Sequence, residues 1–343
     1  MNMQRQRGAV LIMVLWTAVV LTVLVTVMAS SIRLSANTAR HHREGPQAFA
    51  TIMDAMYKAE MELMMLRMPE PTGTVNNQQS LTEYRNPIYR FNGQPLTLHY
   101  PVDENLVVRI YEHAGKINLS RIQRDRLQEL IEHRLGENHN PRQVQELLAA
   151  WADWTDMNDL TIPVIGAESD YYLSLDPPYE ARNSPEFETV EEVRLIRGFD
   201  ELFRDLNLDA AFTIYGNSRT INPNFATREA MMQIPGLDEE LVEEIIALRE
   251  KEDIRPGQLQ EIIPPEKWAT ARLWFGFNDS GVYSVYVYPK QTVLSEDGET
   301  ELDIVTHAYM QVMEARSPQS RPRVLQVRPY AQLPDTAPAH VEN

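Results

Sequence analysis

The stretch RQRGAVLIMVLWTAVVLTVLVTVMASSIR, residues 5–33, decides the fold of this chain. Two arginines and Gly8 precede a run of 24 residues, Ala9–Ile32, that holds no charged side chain, and Arg33 closes it. A helix of that length spans about 36 Å at ~1.5 Å per residue, which exceeds the ~30 Å hydrocarbon core of a bilayer. The sequence therefore predicts a membrane-spanning helix near the N-terminus.

Three kinds of membrane segment have these features. A secretory signal peptide has an apolar core of roughly 7–15 residues. This run is too long for one, although Ala29-Ser30-Ser31 is similar to a cleavage site. An uncleaved anchor fits the composition. The third kind is a short basic leader that is cut directly after its glycine, here between Gly8 and Ala9, so that the apolar helix becomes the new N-terminus.

That third kind of segment resembles the start of type IV pilin-like proteins. Most pilins carry a glutamate five residues after the cut, whereas this chain has Met13 there. Among pilin-like proteins, the minor pseudopilin K family of type II secretion systems lacks this glutamate, and the chain resembles that family in this respect. Arginines lie equally close to both ends of the apolar run, so charge does not set its orientation. The resemblance alone implies an outward-facing C-terminal body.

The rest of the chain has the composition of a large acidic globular body. About 310 residues follow the apolar run, enough for one or two domains with a core. The absence of cysteine excludes disulfides and thiolate metal sites. The net charge of −17 is concentrated in residues 115–277, which carry 31 acidic and 17 basic side chains. That balance opposes binding to nucleic acid and suits a cation or a basic partner.

The periodicity of apolar residues predicts seven segments. They are a leader (1–8), a membrane helix (9–32), its helical continuation (33–68), the first part of a sheet domain (69–114), a helical insertion (115–277), the second part of the sheet domain (278–330) and a disordered tail (331–343). The fold class is therefore α+β. We expect a long N-terminal helix packed on a small antiparallel sheet, with a large all-α insertion between strands.

Local patterns predict the elements of these segments. Gly45-Pro46 predicts a bend in the long helix. Beyond it, an apolar face suited to packing on a sheet is formed by Phe49, Ile52, Met53, Met56, Leu63 and Met64. Alternating and β-branched residues predict strands at Leu96–Val102, Leu106–Glu112, Val282–Tyr288, Leu302–Glu314 and Arg323–Tyr330. Prolines and asparagines predict a loop at 69–90.

The insertion holds a weak internal repeat, in which residues 117–118 and 221–222, both Ile-Asn, each precede a helical pattern. After the second copy, Ile234–Leu237 resembles the turn of a helix-hairpin-helix motif, which in DNA repair proteins binds phosphate. Phosphate binding needs free backbone N–H groups at a helix start. Here Asp238–Glu240 occupy that start and we expect no lysine to come near, so carboxylates compete with phosphate. We expect a scaffold and no binding of nucleic acid.

Four stretches between the two repeat copies carry the most specific resemblance. They are LLAAWADWTDMND (147–159), GAESDYY (166–172), PPYEARN (177–183) and TVEEVRLIRG (189–198). Together, and in this order, they resemble the signature stretches of the type II secretion pseudopilin K family. With the leader, the missing glutamate and the flanking strands, the resemblance covers nearly the whole chain.

The first two of these stretches contain a candidate calcium site. Six side chains offer oxygen within eighteen residues: Asp153, Asp156, Asn158, Asp159, Glu168 and Asp170. Hard cations such as calcium take 6–8 oxygen ligands, although the spacing is not that of an EF-hand. The other interpretation is a polar loop in which these side chains cap helices and close turns. Pseudopilins often hold calcium, so the resemblance favours the metal, with Glu168 and Asp170 ahead of Asp159.

Catalytic patterns are absent from the sequence. The eight histidines show no metal-ligand spacing, and no nucleophile elbow, phosphate loop or dinucleotide fingerprint appears. Trp151 and Trp154, three apart on a predicted helix, suit core packing better than sugar stacking. Two alternatives remain: an inner-membrane-anchored periplasmic enzyme that uses the acidic cluster, and a helix-hairpin-helix DNA-binding protein.

The resemblance implies an architectural protein without enzymatic activity. A minor pseudopilin K would cap the tip of the pseudopilus, initiate its assembly and take part in export of folded proteins across the outer membrane. The implied partners are the minor pseudopilins of types I and J, the major pseudopilin, the prepilin peptidase, the inner-membrane assembly platform and inner-membrane lipid. The peptidase would cut before Ala9 and methylate the new amine. Met13 suits a topmost subunit, because no subunit above offers an amine to a glutamate.

Overall fold

The computed structural model of the chain describes residues 5–66, 91–162, 165–290, 292–294, 301–303, 307–317 and 320–334. Contacts divide the chain into two compact units, Met1–Asp54 and Ala55–Asn343. The predicted loop at 69–90 and the tail beyond residue 334 lie outside the described residues. The same is true of residues 1–4 of the predicted leader.

The first unit is formed by the N-terminal part of one long helix, α1 (Arg5–Leu66). Its stretch Ile12–Ser31 has a mean hydropathy of 2.5 and no buried side chain, so it is long and apolar enough to cross a membrane. Hydroxyls in this stretch donate to carbonyls one turn earlier, as Thr22 does to Ala18 and Ser30 to Thr26. Polar groups are thereby satisfied inside the helix, as a bilayer requires. The helix continues through Pro46, so the predicted bend does not end it.

The last turns of α1 open the second unit and pack on its core. Ala55, Met56, Ala59 and Leu63 are buried at helical spacing, which confirms the predicted contact face for Met56 and Leu63. Phe49 was predicted on the same face but is 52% exposed. Phe49 lies more than one turn before Ala55, the first buried residue of α1 among the described side chains, so the buried face begins after it.

Nine strands follow within the residues that the structure describes. Their bounds are β1 (Asn92–Pro95), β2 (Leu106–Glu112), β3 (Ile117–Asn118), β4 (Phe212–Thr213), β5 (Val282–Pro289), β6 (Thr292–Leu294), β7 (Glu301–Asp303), β8 (Ala308–Glu314) and β9 (Arg323–Ala331). Five of them form an antiparallel sheet in the order β1-β2-β5-β8-β9. Because β2 and β5 are neighbours, the helical block between them is an insertion at one end of the sheet.

The predicted strand Leu96–Val102 is wrong. Its first residue still bonds to β2, since the Leu96 N–H donates to the Val108 carbonyl at 2.8 Å, but later residues bond to α1. The N–H of His99 donates to the buried carboxylate of Glu62 at 2.9 Å. Lys58 Nζ donates to the carbonyl of Pro101 at 2.7 Å. The strand that pairs with β2 is the preceding segment, β1.

Two further bounds differ from the prediction. Leu302–Glu314 was predicted as one strand but contains β7 and β8, which belong to different sheets. The tail was predicted to be disordered from residue 331, yet Ala331 ends β9 and Leu333 is only 2% exposed. Leu333 packs against the sheet and Pro334 accepts a hydrogen bond from Asn207, so the predicted start of disorder at residue 331 is wrong.

The insertion contains the two-residue strands β3 and β4, so the prediction that it is all-α was wrong in that detail. Its short helices surround one core. They are α2 (Arg124–Leu135), α3 (Pro141–Thr155), α4 (Ser169–Leu173), α5 (Phe199–Leu202), α6 (Leu208–Ala211), α7 (Arg228–Met231), α8 (Glu239–Lys251), α9 (Pro256–Ile262) and α10 (Pro265–Ala271), with a 3₁₀ helix at Val190–Leu195. Trp151 and Trp154 lie in that core, as predicted.

The two Ile-Asn segments adopt the same local geometry. Ile117 pairs in parallel with Phe212, and Ile221 pairs in parallel with Phe275. In each segment the asparagine side chain then accepts the backbone N–H two residues later, at 3.1 Å in both cases.

Both connections between the sheet and the insertion meet at Glu112, the last residue of β2. Its carboxylate accepts N–H groups from Ala114 at 2.8 Å and from Ser280 at 2.7 Å, together with the Ser280 hydroxyl. Beside it, the buried His113 ring contacts Thr213 at 2.6 Å and Ser284 at 2.8 Å. Burial raises the pKa of Glu112 to about 7, although the hydrogen bonds from Ser280 and Ala114 oppose that rise.

Candidate functional site

Three of the six predicted calcium ligands converge at one end of α3. Asp153 lies in the last turn of this helix, Asp156 follows its last residue, and Glu168 directly precedes α4. Each of the three side chains offers one carboxylate oxygen, and these oxygens lie within 4.8 Å of one another. The end of a helix and the start of the next therefore face each other across the intervening loop.

Asp153 is the buried anchor of this cluster. It is fully buried, and its carboxylate accepts the N–H groups of Ala167 at 2.7 Å and Ile162 at 3.3 Å. Burial raises the pKa of Asp153, while these two hydrogen bonds act in the opposite direction. The approach is so close that a Cβ atom on Gly166 would lie 2.1 Å from Asp153 Oδ2. Only glycine lets the loop reach the carboxylate.

Glu168 carries the clearest indication of a ligand. The residue is 2% exposed, and neither of its carboxylate oxygens has a hydrogen-bond partner within the part of the chain that the structure describes. Burial raises its pKa to about 7, and the charges of Asp153 and Asp156 add to the rise. A buried, unsatisfied carboxylate is costly, and a cation at these three carboxylates would remove that cost. The residues therefore fit a hard divalent cation.

The other three predicted ligands lie outside this group. Asn158 and Asp159 are exposed, and the Asn158 side chain closes a turn by accepting the N–H of Leu160 at 2.8 Å. Asp170 is exposed in the first turn of α4 and lies outside the group of three. Two positions along a helix rotate a side chain by about 200°, which separates Asp170 from Glu168. Asn158 therefore behaves as the polar-loop interpretation predicts, by closing a turn. Asp153, Asp156 and Glu168 are placed as the metal interpretation predicts.

Sequence analysis missed two residues that shape this cluster. The first is Gly166. The only sign of its role in the sequence was that a glycine stands directly before the acidic stretch. The other is Arg197, which donates to the carbonyl of Gly166 at 2.9 Å and to that of Ile165. Arg197 lies far along the chain from the cluster, and no spacing pattern connects them.

The predicted processing residues belong to α1. Gly8, Ala9 and Ile32 lie within its helical bounds, but their side chains are outside the described residues. Met13, in the position where most pilins have glutamate, is an exposed side chain of the apolar stretch.

The turn that resembles a helix-hairpin-helix motif is closed by a carboxylate. Asp238 Oδ1 accepts the N–H of Leu241 at 3.1 Å at the start of α8. Its other oxygen pairs with Lys267 of α10 at 2.5 Å. The expectation that no lysine lies near was therefore wrong, because α10 is brought alongside by the fold. The hydrogen bond from Lys267 and that from Leu241 lower the pKa of Asp238, which favours a carboxylate at the position a phosphate would need.

Comparison with known proteins agrees with this architecture. Residues 107–206 match the family described as type II secretion system (T2SS), protein K. The chain is also similar to a chain in the crystal structure of the GspK-GspI-GspJ complex from the type 2 secretion system of enterotoxigenic Escherichia coli. That match has a TM-score of 0.53 and 14% identity, and covers 85% of this chain and 100% of the other.

The structural match confirms a mixed fold with an N-terminal helix and an antiparallel sheet. At 14% identity it shows the fold alone. No curated protein sequence matches the chain. The residues matched by the family begin in β2 and include all three carboxylates of the cluster and Arg197.

Proposed function

The chain belongs, through residues 107–206, to the type II secretion system protein K family, and we propose that it caps the tip of the pseudopilus as a minor pseudopilin. The family is a component of a secretion system, which supports an architectural role over the enzyme and DNA-binding alternatives. The observation that carries the proposal is the position of the matched residues. They comprise most of β2 and the first part of the helical block. That block is inserted between the neighbouring strands β2 and β5 of an antiparallel sheet, which follows one long helix with an apolar stretch.

The position at the tip rests on where the insertion joins the sheet. The block leaves after Glu112 and returns at Val282, and these residues lie at the same end of the paired strands β2 and β5. A block of that size at one end of the sheet would obstruct any subunit stacked over it. Met13 supports the same position, because a topmost subunit has no neighbour above to pair with a glutamate.

The partners follow from this position. The similar solved structure is a complex of GspK with GspI and GspJ, and we expect this chain to assemble with the minor pseudopilins of types I and J. The major pseudopilin would continue the filament below that complex. In this arrangement the complex initiates assembly on the inner-membrane platform, and the growing filament takes part in export of folded proteins across the outer membrane.

Processing by the prepilin peptidase makes the chain a filament subunit. The peptidase would cut between Gly8 and Ala9 and methylate the amine of Ala9, while Ala9–Ile32 holds the subunit in the inner membrane with its body in the periplasm. Gly8→Asp should leave the precursor mass unchanged. Gly45→Asp is the matched control, since a Cβ there meets open space in the same helix and processing should be normal. A wild-type protein whose mature sequence starts at Met1 or Ser30 would contradict the proposal.

Calcium is the proposed ligand of the group formed by Asp153, Asp156 and Glu168. When bound, the ion would supply the positive charge that these buried carboxylates otherwise lack. Calcium at 100 times its dissociation constant should raise the free energy of unfolding by about 2.7 kcal/mol. Glu168→Gln should reduce that gain, whereas Asp170→Asn should not. Thermal unfolding of the full chain in detergent, with calcium or with a chelator, gives the comparison; equal stability in both conditions contradicts the site.

A further inference from the structure

Arg197 holds the segment that carries two parts of the acidic cluster. Its guanidinium donates to the carbonyl of Gly166 at 2.9 Å and to that of Ile165, and it lies over the ring of Tyr171 at 5.3 Å. Its backbone N–H also donates to the hydroxyl of Tyr172 at 3.3 Å. One arginine therefore binds the chain on both sides of Glu168.

The held segment determines the positions of two carboxylates. The N–H of Ala167 donates to Asp153, and Glu168 is the next residue. The Glu168 carboxylate has no hydrogen bond within the described part of the chain, so its position depends on the backbone that carries it. That backbone is fixed by the two carbonyls bonded to Arg197.

The positive charge of Arg197 repels a cation, and this repulsion opposes the benefit of holding the ligands in place. Burial raises the pKa of Asp153, and the nearby Arg197 guanidinium acts in the opposite direction, so it already offsets part of the charge that a metal ion would meet. Within the described part of the chain, however, its side-chain hydrogen bonds go to carbonyl oxygens and not to the three carboxylates. Fixing the segment should therefore outweigh repulsion of the ion, because outer partners that orient ligands typically change metal affinity by about 10–100-fold.

We propose that Arg197 is a positioning residue for the calcium site, an inference that rests on the calcium proposal above. It holds residues 165–168 in the geometry that presents Glu168 beside Asp153 before the ion arrives. The side chain itself does not bind the ion.

Calcium titration by calorimetry of the full chain in detergent tests this role. Arg197→Met should weaken calcium binding by about 10–100-fold. Arg197→Lys keeps the charge but loses the planar pair of donors, so it should weaken binding by a smaller factor. Arg194→Met is the matched control. Arg194 also donates to two carbonyls, those of Phe203 and Leu206, and it lies in the same stretch of chain, but in the described structure it is not hydrogen-bonded to residues 165–168. Its loss should leave calcium affinity within about twofold of wild type, since no ligand is displaced.

A second measurement distinguishes positioning from general stability. Hydrogen exchange of the Ala167 amide in calcium-free protein should accelerate in Arg197→Met and stay at the wild-type rate in Arg194→Met. Wild-type protein that binds no calcium overturns the site and this role with it. If the wild type binds calcium and Arg197→Met binds it with unchanged or tighter affinity, the positioning role alone is overturned. If Arg197→Met does not fold, the comparison of Arg197→Lys with Arg194→Met decides in the same way.

Discussion

Replacing Glu112 with glutamine should change how the stability of this chain depends on pH. Glu112 is 1% exposed at the point where both connections of the insertion meet, and burial raises its pKa from 4.5 to about 7. Between these two pH values the folded chain holds a proton that the unfolded chain has released. The stability contributed by the raised pKa is therefore complete below pH 4.5 and is lost as the pH rises through 7.

The size of the effect follows from the shift. A rise of about 2.5 pKa units corresponds to about 3 kcal/mol, at 1.36 kcal/mol per unit. Glutamine at position 112 has no charge to bury, so the variant escapes this loss. Its amide group will also disturb the contacts with Ala114 and Ser280. That cost is nearly independent of pH and cancels when the two proteins are compared across pH values.

Urea unfolding of the full chain in detergent, at intervals from pH 4 to 8.5, provides the measurement. Calcium is kept at one saturating concentration so that titration of the acidic cluster contributes equally to both proteins. The stability of Glu112→Gln relative to wild type should rise by about 3 kcal/mol across this range. Glu261→Gln, at an exposed position of α9, is the control and should show no such trend.

A difference between Glu112→Gln and wild type that stays constant with pH would refute the reasoning. It would mean that the pKa of Glu112 is the same in the folded and the unfolded chain. In that case the donors from Ala114 and Ser280 would balance the effect of burial, and the carboxylate would resemble a capping group and not a buried acid.

Three other substitutions test the fold, the cluster and the position in the filament. Gly166→Ala places a Cβ atom against Asp153, so calorimetry should show weaker calcium binding. Urea unfolding should show that the free energy of unfolding falls by about 1–3 kcal/mol. Unchanged calcium affinity would contradict the close approach. Leu63→Ala leaves a cavity between α1 and the core and should cost about 2–5 kcal/mol in urea unfolding; a loss below 1 kcal/mol would mean that this face is not packed. Met13→Glu should be accepted in the membrane but disturb placement at the tip; normal secretion together with normal binding of the type I and J pseudopilins would count against that placement.

The main architecture was predictable because its signals are local. An uncharged run of 24 residues identifies α1, and β-branched alternation identifies β5 and β9. The strand at Asn92–Pro95 was not predictable, since glycine and proline are poor strand formers. Leu96–Val102 has the better pattern, but its backbone groups are bonded by Glu62 and Lys58 of α1. These are tertiary contacts that no local pattern reports.

The candidate site was also predictable only where its signals are local. A high density of oxygen-bearing side chains predicted the region, and Asp153, Asp156 and Glu168 come together within it. Asp170 differs from Glu168 only by its position relative to the start of α4, so its exclusion depends on where that helix begins. Arg197 lies in the quoted stretch 189–198, but nothing in the sequence connected it to the acidic cluster, because its partners are backbone carbonyls, which every residue carries.

The junction at Glu112 connects the proposed role at the tip to specific bonds. A cap obstructs stacking only if it keeps its orientation on the subunit that carries it. Glu112 binds both the outgoing segment, at Ala114, and the returning segment, at Ser280. His113 contacts Thr213 of the insertion and Ser284 of β5. The block is thus held by two buried connections and a bridging ring. Since each buried donor left without an acceptor costs about 1–3 kcal/mol, pivoting of the block at this junction is opposed by several kcal/mol, which is what a cap requires.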